Sequence, residues 1–168
     1  MGTDAPKAGA DRDDGPTPVA WTRVDVEVRY AAPVARVWAA LTVETAAWWK
    51  GDFLAAGPGS RIRLEGWPGG RLFEETPSGG GVLWFLVTVV EPGRRLDLAG
   101  DVGLEWGGPF RSQVSIRLEP DGSGTVLRLT DALIGPLAGK HPDGLSAGWR
   151  MLFGTLLRAY VDSETTGS

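Results

Sequence analysis

The stretch LSAGWRMLFGTLLRAY, residues 145–160, carries the pattern that decides the fold. Bulky apolar side chains recur in it every three or four positions, which is the spacing of one face of an α-helix. These side chains are Trp149, Leu152, Phe153, Leu156, Leu157 and Tyr160. Arg150 and Arg158 fall on the opposite face. An amphipathic helix of this length has to bury its apolar face against a second layer of the protein.

The residues before this helix predict that the second layer is a sheet. Residues 22–30 alternate apolar and charged side chains, which is typical of a half-buried strand. Pro33 and the apolar spacing after it predict one short helix, and residues 44–49 predict another. Six more apolar segments lie between turn clusters rich in glycine and proline. They predict strands at residues 60–65, 71–75, 82–91, 94–99, 110–119 and 125–133.

This order predicts an α+β fold: one strand, two short helices, six strands and a long helix. Short turns join the last six strands, which favours antiparallel pairing. We therefore expect a curved seven-stranded antiparallel sheet wrapped around the C-terminal helix. Residues 82–91, VLWFLVTVVE, are apolar at nearly every position, so we expect this strand either to be covered on both faces or to line a cavity.

Composition excludes several classes of function. The net charge is −4 and the isoelectric point is near 5.0, and the chain has no basic cluster that would suit nucleic acid. It has no cysteine and a single histidine, His141, which excludes thiolate chemistry and metal sites built on those ligands. We predict neither a metal nor a cofactor.

The chain divides into three segments by composition. Residues 1–20 are rich in Asp, Gly, Ala and Pro, lack the apolar core of a signal peptide, and predict a disordered tail. Residues 21–162 form the predicted domain, and the polar residues 163–168 predict a frayed end. No apolar run approaches the roughly 20 residues of a membrane helix, so we expect no membrane span and a cytoplasmic location.

Three motifs resemble one known superfamily. Residues 32–41, APVARVWAAL, residues 124–130, GTVLRLT, and residues 148–152, GWRML, occur in the order and spacing found there. The chain from about residue 22 to residue 162 thus resembles the START-like, or Bet v 1-like (SRPBCC), helix-grip superfamily. It is most similar to bacterial domains related to the activator of Hsp90 ATPase and to polyketide cyclases. One departure is Asp131, where many relatives carry histidine.

The resemblance implies a deep pocket for an apolar ligand between the sheet and the long helix. Aromatic side chains are suited to wall such a pocket. The candidates for the cavity wall are Trp67, Phe73, Trp84, Leu86, Trp106, Phe110, Trp149 and Phe153. Ordinary core packing is the alternative for these residues, and it is favoured for Trp149.

Few residues suggest catalysis. Glu74 and Glu75 are neighbours on a strand and point to opposite faces, so they cannot form a carboxylate pair. We assign no catalytic residue; Asp131 and Glu74 are the weak candidates, should the cavity carry out chemistry. Residues 144–148, GLSAG, match a nucleophile elbow, but no strand precedes them and His141 lies upstream. Ser146 is instead predicted to cap the last helix, and His141 to lie on a surface loop.

Three hypotheses about function follow. The first is a module that binds a hydrophobic small molecule such as a lipid, a polyketide or an aromatic compound, and we favour it over catalysis. The second is an enzyme of the polyketide cyclase or dehydratase type, which would need a polar group inside the cavity. The third is a protein-interaction module that stimulates an ATPase. An exposed patch of Trp48, Trp49 and Phe53 would be its physical sign.

Overall fold

The computed structural model describes residues 18–104, 108–137 and 142–165. Seven strands, β1 to β7, span Ala20–Tyr30, Arg61–Leu64, Arg71–Glu75, Gly81–Glu91, Arg95–Val102, Phe110–Asp121 and Gly124–Gly135. Two short helices, α1 (Val34–Thr42) and α2 (Thr45–Trp48), and a 3-10 turn at Gly51–Phe53 connect β1 to β2. The C-terminal helix consists of α3 (Pro142–Met151), a π-helical segment (Leu152–Leu157) and α4 (Arg158–Thr165).

The seven strands form one curved antiparallel sheet. Their order is β1-β7-β6-β5-β4-β3-β2, so every neighbouring pair except β1 and β7 is also consecutive in sequence. β1 returns to pair with β7, with Val26 opposite Leu129. The prediction of an α+β fold with a seven-stranded sheet and a long C-terminal helix is confirmed.

The core lies between the concave face of the sheet and the C-terminal helix. Alternate residues of β1 are buried, as the period of a strand requires, while their charged neighbours point outward. The helix presents Leu152, Phe153, Leu157 and Val161 to this layer, and all four are buried. The apolar side chains that recur at helical spacing in the sequence therefore include those that fill the core.

β4 lines a cavity, which is the second of the two alternatives for residues 82–91, but it does so on one face only. Its register shifts against β3 between Leu72 and Phe73, and again against β5 between Val87 and Val89. A bulge leaves one residue unpaired and changes which side chains face inward. Trp84 and Phe85, although neighbours in sequence, both border the interior, while Leu86 on the outer face is 45% exposed. The strand lines a cavity on one face and is uncovered on the other.

The start of the C-terminal helix also differs from the prediction. The helix begins at Pro142, a residue favoured at a first helical position because its missing N–H has no partner there. Ser146 therefore lies inside the helix, where its Oγ accepts a hydrogen bond from Arg150 Nε at 3.2 Å. The prediction that Ser146 caps the helix is wrong. Within the described residues, no helix has the length and apolar character needed to cross a membrane.

A buried tyrosine ties β1 to the π-helical segment. The Tyr30 hydroxyl donates to the carbonyl of Phe153 at 2.9 Å. Burial raises the pKa of Tyr30, so the hydroxyl stays protonated and remains a donor. The bond satisfies a backbone carbonyl in a segment whose hydrogen-bond pattern departs from the α-helix.

Tyr30→Phe is expected to lower the free energy of unfolding by about 1–2 kcal/mol, because it leaves the buried Phe153 carbonyl without this donor. Urea denaturation followed by circular dichroism measures the change. Tyr160→Phe is the matched control, since its hydroxyl bonds Glu44 at a partly exposed position and should matter less. Equal losses of free energy of unfolding in the two variants would contradict the stabilising role given to the hydrogen bond of Tyr30.

Candidate functional site

A cavity of about 440 Å³ opens between α3 and the sheet. This volume is within the range of pockets that hold small molecules. Six aromatic rings of the described residues line it: Trp49, Phe53, Trp84, Phe85, Phe110 and Trp149. Aliphatic side chains form most of the remaining wall, and the polar side chains on it within the described ranges are those of Asp52, Ser112 and Asp131.

Two glycines of α3 leave the space that the cavity occupies. Gly144 and Gly148 lie one helical turn apart and both line the cavity. A Cβ atom built on either residue would meet no other atom within 4 Å. Since a helix interior normally favours alanine over glycine, these positions give up helix stability and keep the helix face open.

Asp131 places a carboxyl group in the cavity wall. It lies on β7 and its side chain is buried, with 2% of the residue exposed. Ser112 Oγ on β6 donates to one carboxyl oxygen at 2.6 Å, and Trp149 Nε1 on α3 donates to the other at 2.9 Å. Burial raises the pKa of Asp131, and the two hydrogen bonds oppose that effect.

The raised pKa of Asp131 predicts a pH-dependent cost of folding. Between the ordinary aspartate pKa and the raised one, the folded state holds a proton that the unfolded chain has lost, so stability falls as pH rises. Asp131→Asn removes this cost. We expect its free energy of unfolding, relative to wild type, to shift in favour of the variant as the pH rises above the ordinary pKa of an aspartate, about 4. Denaturation at several pH values measures the difference; a difference independent of pH would contradict the raised pKa.

Glu74 holds the loop beside the cavity. Its carboxylate accepts hydrogen bonds from the backbone N–H groups of Ala55 and Ala56, from Ser60 Oγ and from Trp84 Nε1, at 2.8–3.2 Å. The residue is only 1% exposed and is not part of the cavity wall. These donors saturate the acceptor positions of a carboxylate, so Glu74 fixes the loop and the edge of Trp84.

Glu74→Gln should destabilise the fold by about 1.5–3 kcal/mol, because an amide N–H₂ would face groups that are themselves donors. Chemical denaturation of the purified variant measures this loss. Glu75→Gln is the matched control, because Glu75 points outward to Arg63 and is partly exposed; a change within about 0.5 kcal/mol is expected there. If the two variants lost the same stability, Glu74 would not be the anchor of the loop.

The structure brings some of the predicted residues together. Trp84, Phe110 and Trp149 line the cavity with Asp131. Phe153 lies beneath it, with its ring centroid 5.7 Å from that of Trp149, and borders a separate void of about 20 Å³. Trp106 and His141 lie outside the described residues.

Three of the predicted cavity residues lie elsewhere. Leu86 follows the buried Phe85 and precedes the buried Val87, so the strand period turns it to the outer face. Phe73 faces outward for the same reason, and the Arg71 guanidinium lies 4.4 Å from the centre of its ring. Trp67 is 58% exposed in the turn between β2 and β3. The prediction that these three line the cavity is corrected.

The aromatic cluster after α1 has a different role from the one predicted. Trp48 is 2% exposed and donates to the carbonyl of Ala40 at 2.8 Å. Trp49 and Phe53 pack against the core and line the cavity. The predicted exposed patch for a protein partner is therefore absent at these residues. The sequence did not indicate whether Trp48 and Trp49 are buried, because a short helix can direct either side chain toward the core or toward solvent.

No group of three acidic or histidine side chains in the described ranges is placed to hold a metal ion. Among the described residues, the charged side chains of the cavity wall are two acids at separate positions, Asp52 in the 3-10 turn and Asp131 on β7.

Solved structures share this fold. The Mll3558 protein from Rhizobium loti has a TM-score of 0.66 at 21% identity, over 83% of this chain and 97% of that one. Ara h 8.0201 has a TM-score of 0.63 at 15% identity, over 86% and 99%. CalU16 from Micromonospora echinospora has a TM-score of 0.59 at 21% identity, over 88% of each chain. At these identities the likeness shows the fold alone.

Sequence comparison adds the family. No curated protein sequence matches the chain significantly. The family model described as "Activator of Hsp90 ATPase homolog 1-like protein" matches residues 31–162, which is most of the chain. The match covers the elements from α1 to the greater part of α4. The chain therefore belongs to the activator of Hsp90 ATPase homolog 1-like family, within the START-like, or Bet v 1-like, helix-grip superfamily.

Proposed function

We propose that the protein binds an apolar small molecule in the cavity between α3 and the sheet. The observation that carries this proposal is a cavity of about 440 Å³, which six aromatic rings in the described part of the chain line and which two helix glycines keep open. The family resemblance implies a pocket for an apolar ligand between the sheet and the long helix, and the wall described here is mostly apolar. Apolar walls with a few polar groups are typical of small-molecule sites.

The energetics indicate how tightly this cavity can bind a ligand through apolar contacts alone. Burying roughly 200 Å² of apolar surface contributes about 5 kcal/mol. Association itself costs about 4 kcal/mol or more in lost freedom of motion. Apolar burial alone therefore gives weak binding to this cavity, and a polar contact inside it has to supply the rest.

Native mass spectrometry of the purified protein, followed by organic extraction, tests the proposal. We expect a co-purifying compound, or a member of a panel of lipids, polyketides and aromatics that changes tryptophan emission saturably. Trp49, Trp84 and Trp149 line the cavity, so a ligand there has to alter their environment. A protein free of ligand that responds to no panel member would count against binding and direct the search to a protein partner.

A second candidate function is catalysis of the cyclase or dehydratase type. The observation that favours it is Asp131, a carboxyl group buried in the cavity whose pKa burial raises, as suits a general acid. In this alternative the apolar walls would hold a reactive chain in shape and exclude water. Turnover of a bound polyketide that Asp131→Asn abolishes without loss of binding would favour the enzyme over the binding module.

A further inference from the structure

Every ionisable side chain that lines the cavity in the described part of the chain is an acid. Asp131 lies buried in the wall and Asp52 lies exposed in the 3-10 turn. The wall described so far contains no arginine, lysine or histidine. A wall that carries negative charge repels carboxylates and phosphates and attracts cations.

The carboxyl group of Asp131 has acceptor positions that its two hydrogen bonds do not fill. Each of its carboxyl oxygens accepts one hydrogen bond, from Ser112 or from Trp149, and a carboxylate has about four acceptor positions. Both partners are neutral, and no arginine or lysine of the described residues forms an ion pair with it. A buried carboxylate without a cation is costly, so a cationic group on the ligand would be strongly favoured beside it.

The rings around the carboxyl group suit the same chemistry. Trp149, which donates to Asp131, also lines the cavity, and Trp84 and Phe110 line it as well. The faces of aromatic rings attract cations, tryptophan most strongly. The carboxyl group and the rings thus favour one kind of ligand together.

We propose that the cavity selects an apolar molecule that carries a protonated amine, with the ammonium group bonded to Asp131 and the apolar body among the aromatic rings. This inference rests on the proposed function and narrows it, since it excludes fatty acids and other apolar anions as preferred ligands. The amine and the carboxylate form a charge-assisted hydrogen bond, which is stronger than the bond that a neutral ligand makes.

Three probes with the same apolar body distinguish a failure of the inference from a failure of the proposed function. Naphthylethylamine, naphthylethanol and naphthylacetic acid share the same bicyclic body and differ in the charge of the polar group. Each is titrated into the full chain by calorimetry near neutral pH. We expect the amine to bind at least tenfold more tightly than the alcohol, and the acid to bind more weakly than either.

Variants identify the residue responsible. Asp131→Asn keeps the size of the side chain and removes its charge, so it should abolish the preference for the amine while the alcohol binds within about threefold of wild type. Glu75→Gln is the matched control; because Glu75 lies outside the cavity wall and is partly exposed, it should change the affinity for the amine less than threefold.

The outcomes are distinguishable. Tighter or equal binding of the alcohol or the acid overturns the inference and leaves the proposed function in place. An amine preference that survives in Asp131→Asn also overturns it, because the charge then acts from elsewhere. If none of the three probes binds saturably, the proposed function is overturned for ligands of this size, and the inference is overturned with it.

Discussion

Gly148→Phe should reduce the affinity for naphthylethanol at least about a hundredfold. A Cβ at Gly148 meets open space, so the new ring can enter the cavity without displacing the backbone of α3. Once there, it occupies the volume that the naphthyl body needs, because Gly148 lines the same wall as Trp149. The loss of the apolar contacts accounts for an effect of this size. Calorimetric titration of the two proteins measures it.

Gly148→Ala is the matched control for this variant. It adds one methyl group to the cavity wall, so binding should stay within a few-fold of wild type. Because alanine is the better helix former, the free energy of unfolding should rise by about 0.5–1 kcal/mol. Circular dichroism and denaturation establish that both variants are folded. Undiminished binding in a folded Gly148→Phe protein would place the ligand outside this cavity.

Phe153→Ala should lower the free energy of unfolding by about 3–5 kcal/mol. The phenylalanine ring is 1% exposed and lies with its centroid 5.8 Å from that of Trp48 and 5.7 Å from that of Trp149. It also borders the small void beneath the cavity, so its removal enlarges an existing gap in the packing. Domains of this size are stable by only about 5–15 kcal/mol, and the variant should therefore be marginal.

Urea denaturation followed by tryptophan emission and by circular dichroism measures this loss. Met151→Ala provides the comparison on the same helix, because Met151 is exposed and should change stability by about 0.5 kcal/mol or less. A loss at Phe153 no larger than that at Met151 would contradict its place in the core. It would also mean that the helix packs on the sheet in a different rotation.

Periodicity predicted the fold because each element has one buried face. The spacing of residues 145–160 identified the face of the C-terminal helix, and alternation in β1 identified the face of the sheet. Turn clusters then separated the remaining strands. These signals come from local geometry, so they predicted the element order but not the pairing of β1 with β7.

The cavity was predicted less completely because bulges and helix rotation change which side chains meet. In β4 a strict period cannot place Trp84 and Phe85 on one face, and the bulge does so. The same run of apolar residues made Leu86 a candidate although it faces outward. Gly144 and Gly148 matched a nucleophile motif in the sequence, whereas in the structure they supply empty space beside Asp131.

Asp131 was a weak candidate in the sequence because a cavity that carries out chemistry needs a polar group inside it. Its hydrogen bonds from Ser112 and Trp149 join β6, β7 and α3, which are distant in sequence and share no motif. Glu74 met the same criterion and is instead saturated by donors of the loop at residues 54–60. The two acids differ only in the groups around them, and tertiary structure supplies those groups.

A crystal structure of the protein with naphthylethylamine tests the central claim most directly. We expect the bicyclic body between Trp84 and Trp149, with the amine nitrogen about 3 Å from a carboxyl oxygen of Asp131. A separate groove of about 820 Å³, which Trp67 and Arg71 line on the outer face, provides the contrast. A ligand bound there, with the cavity beneath α3 free of it, would contradict the proposal that this cavity is the binding site.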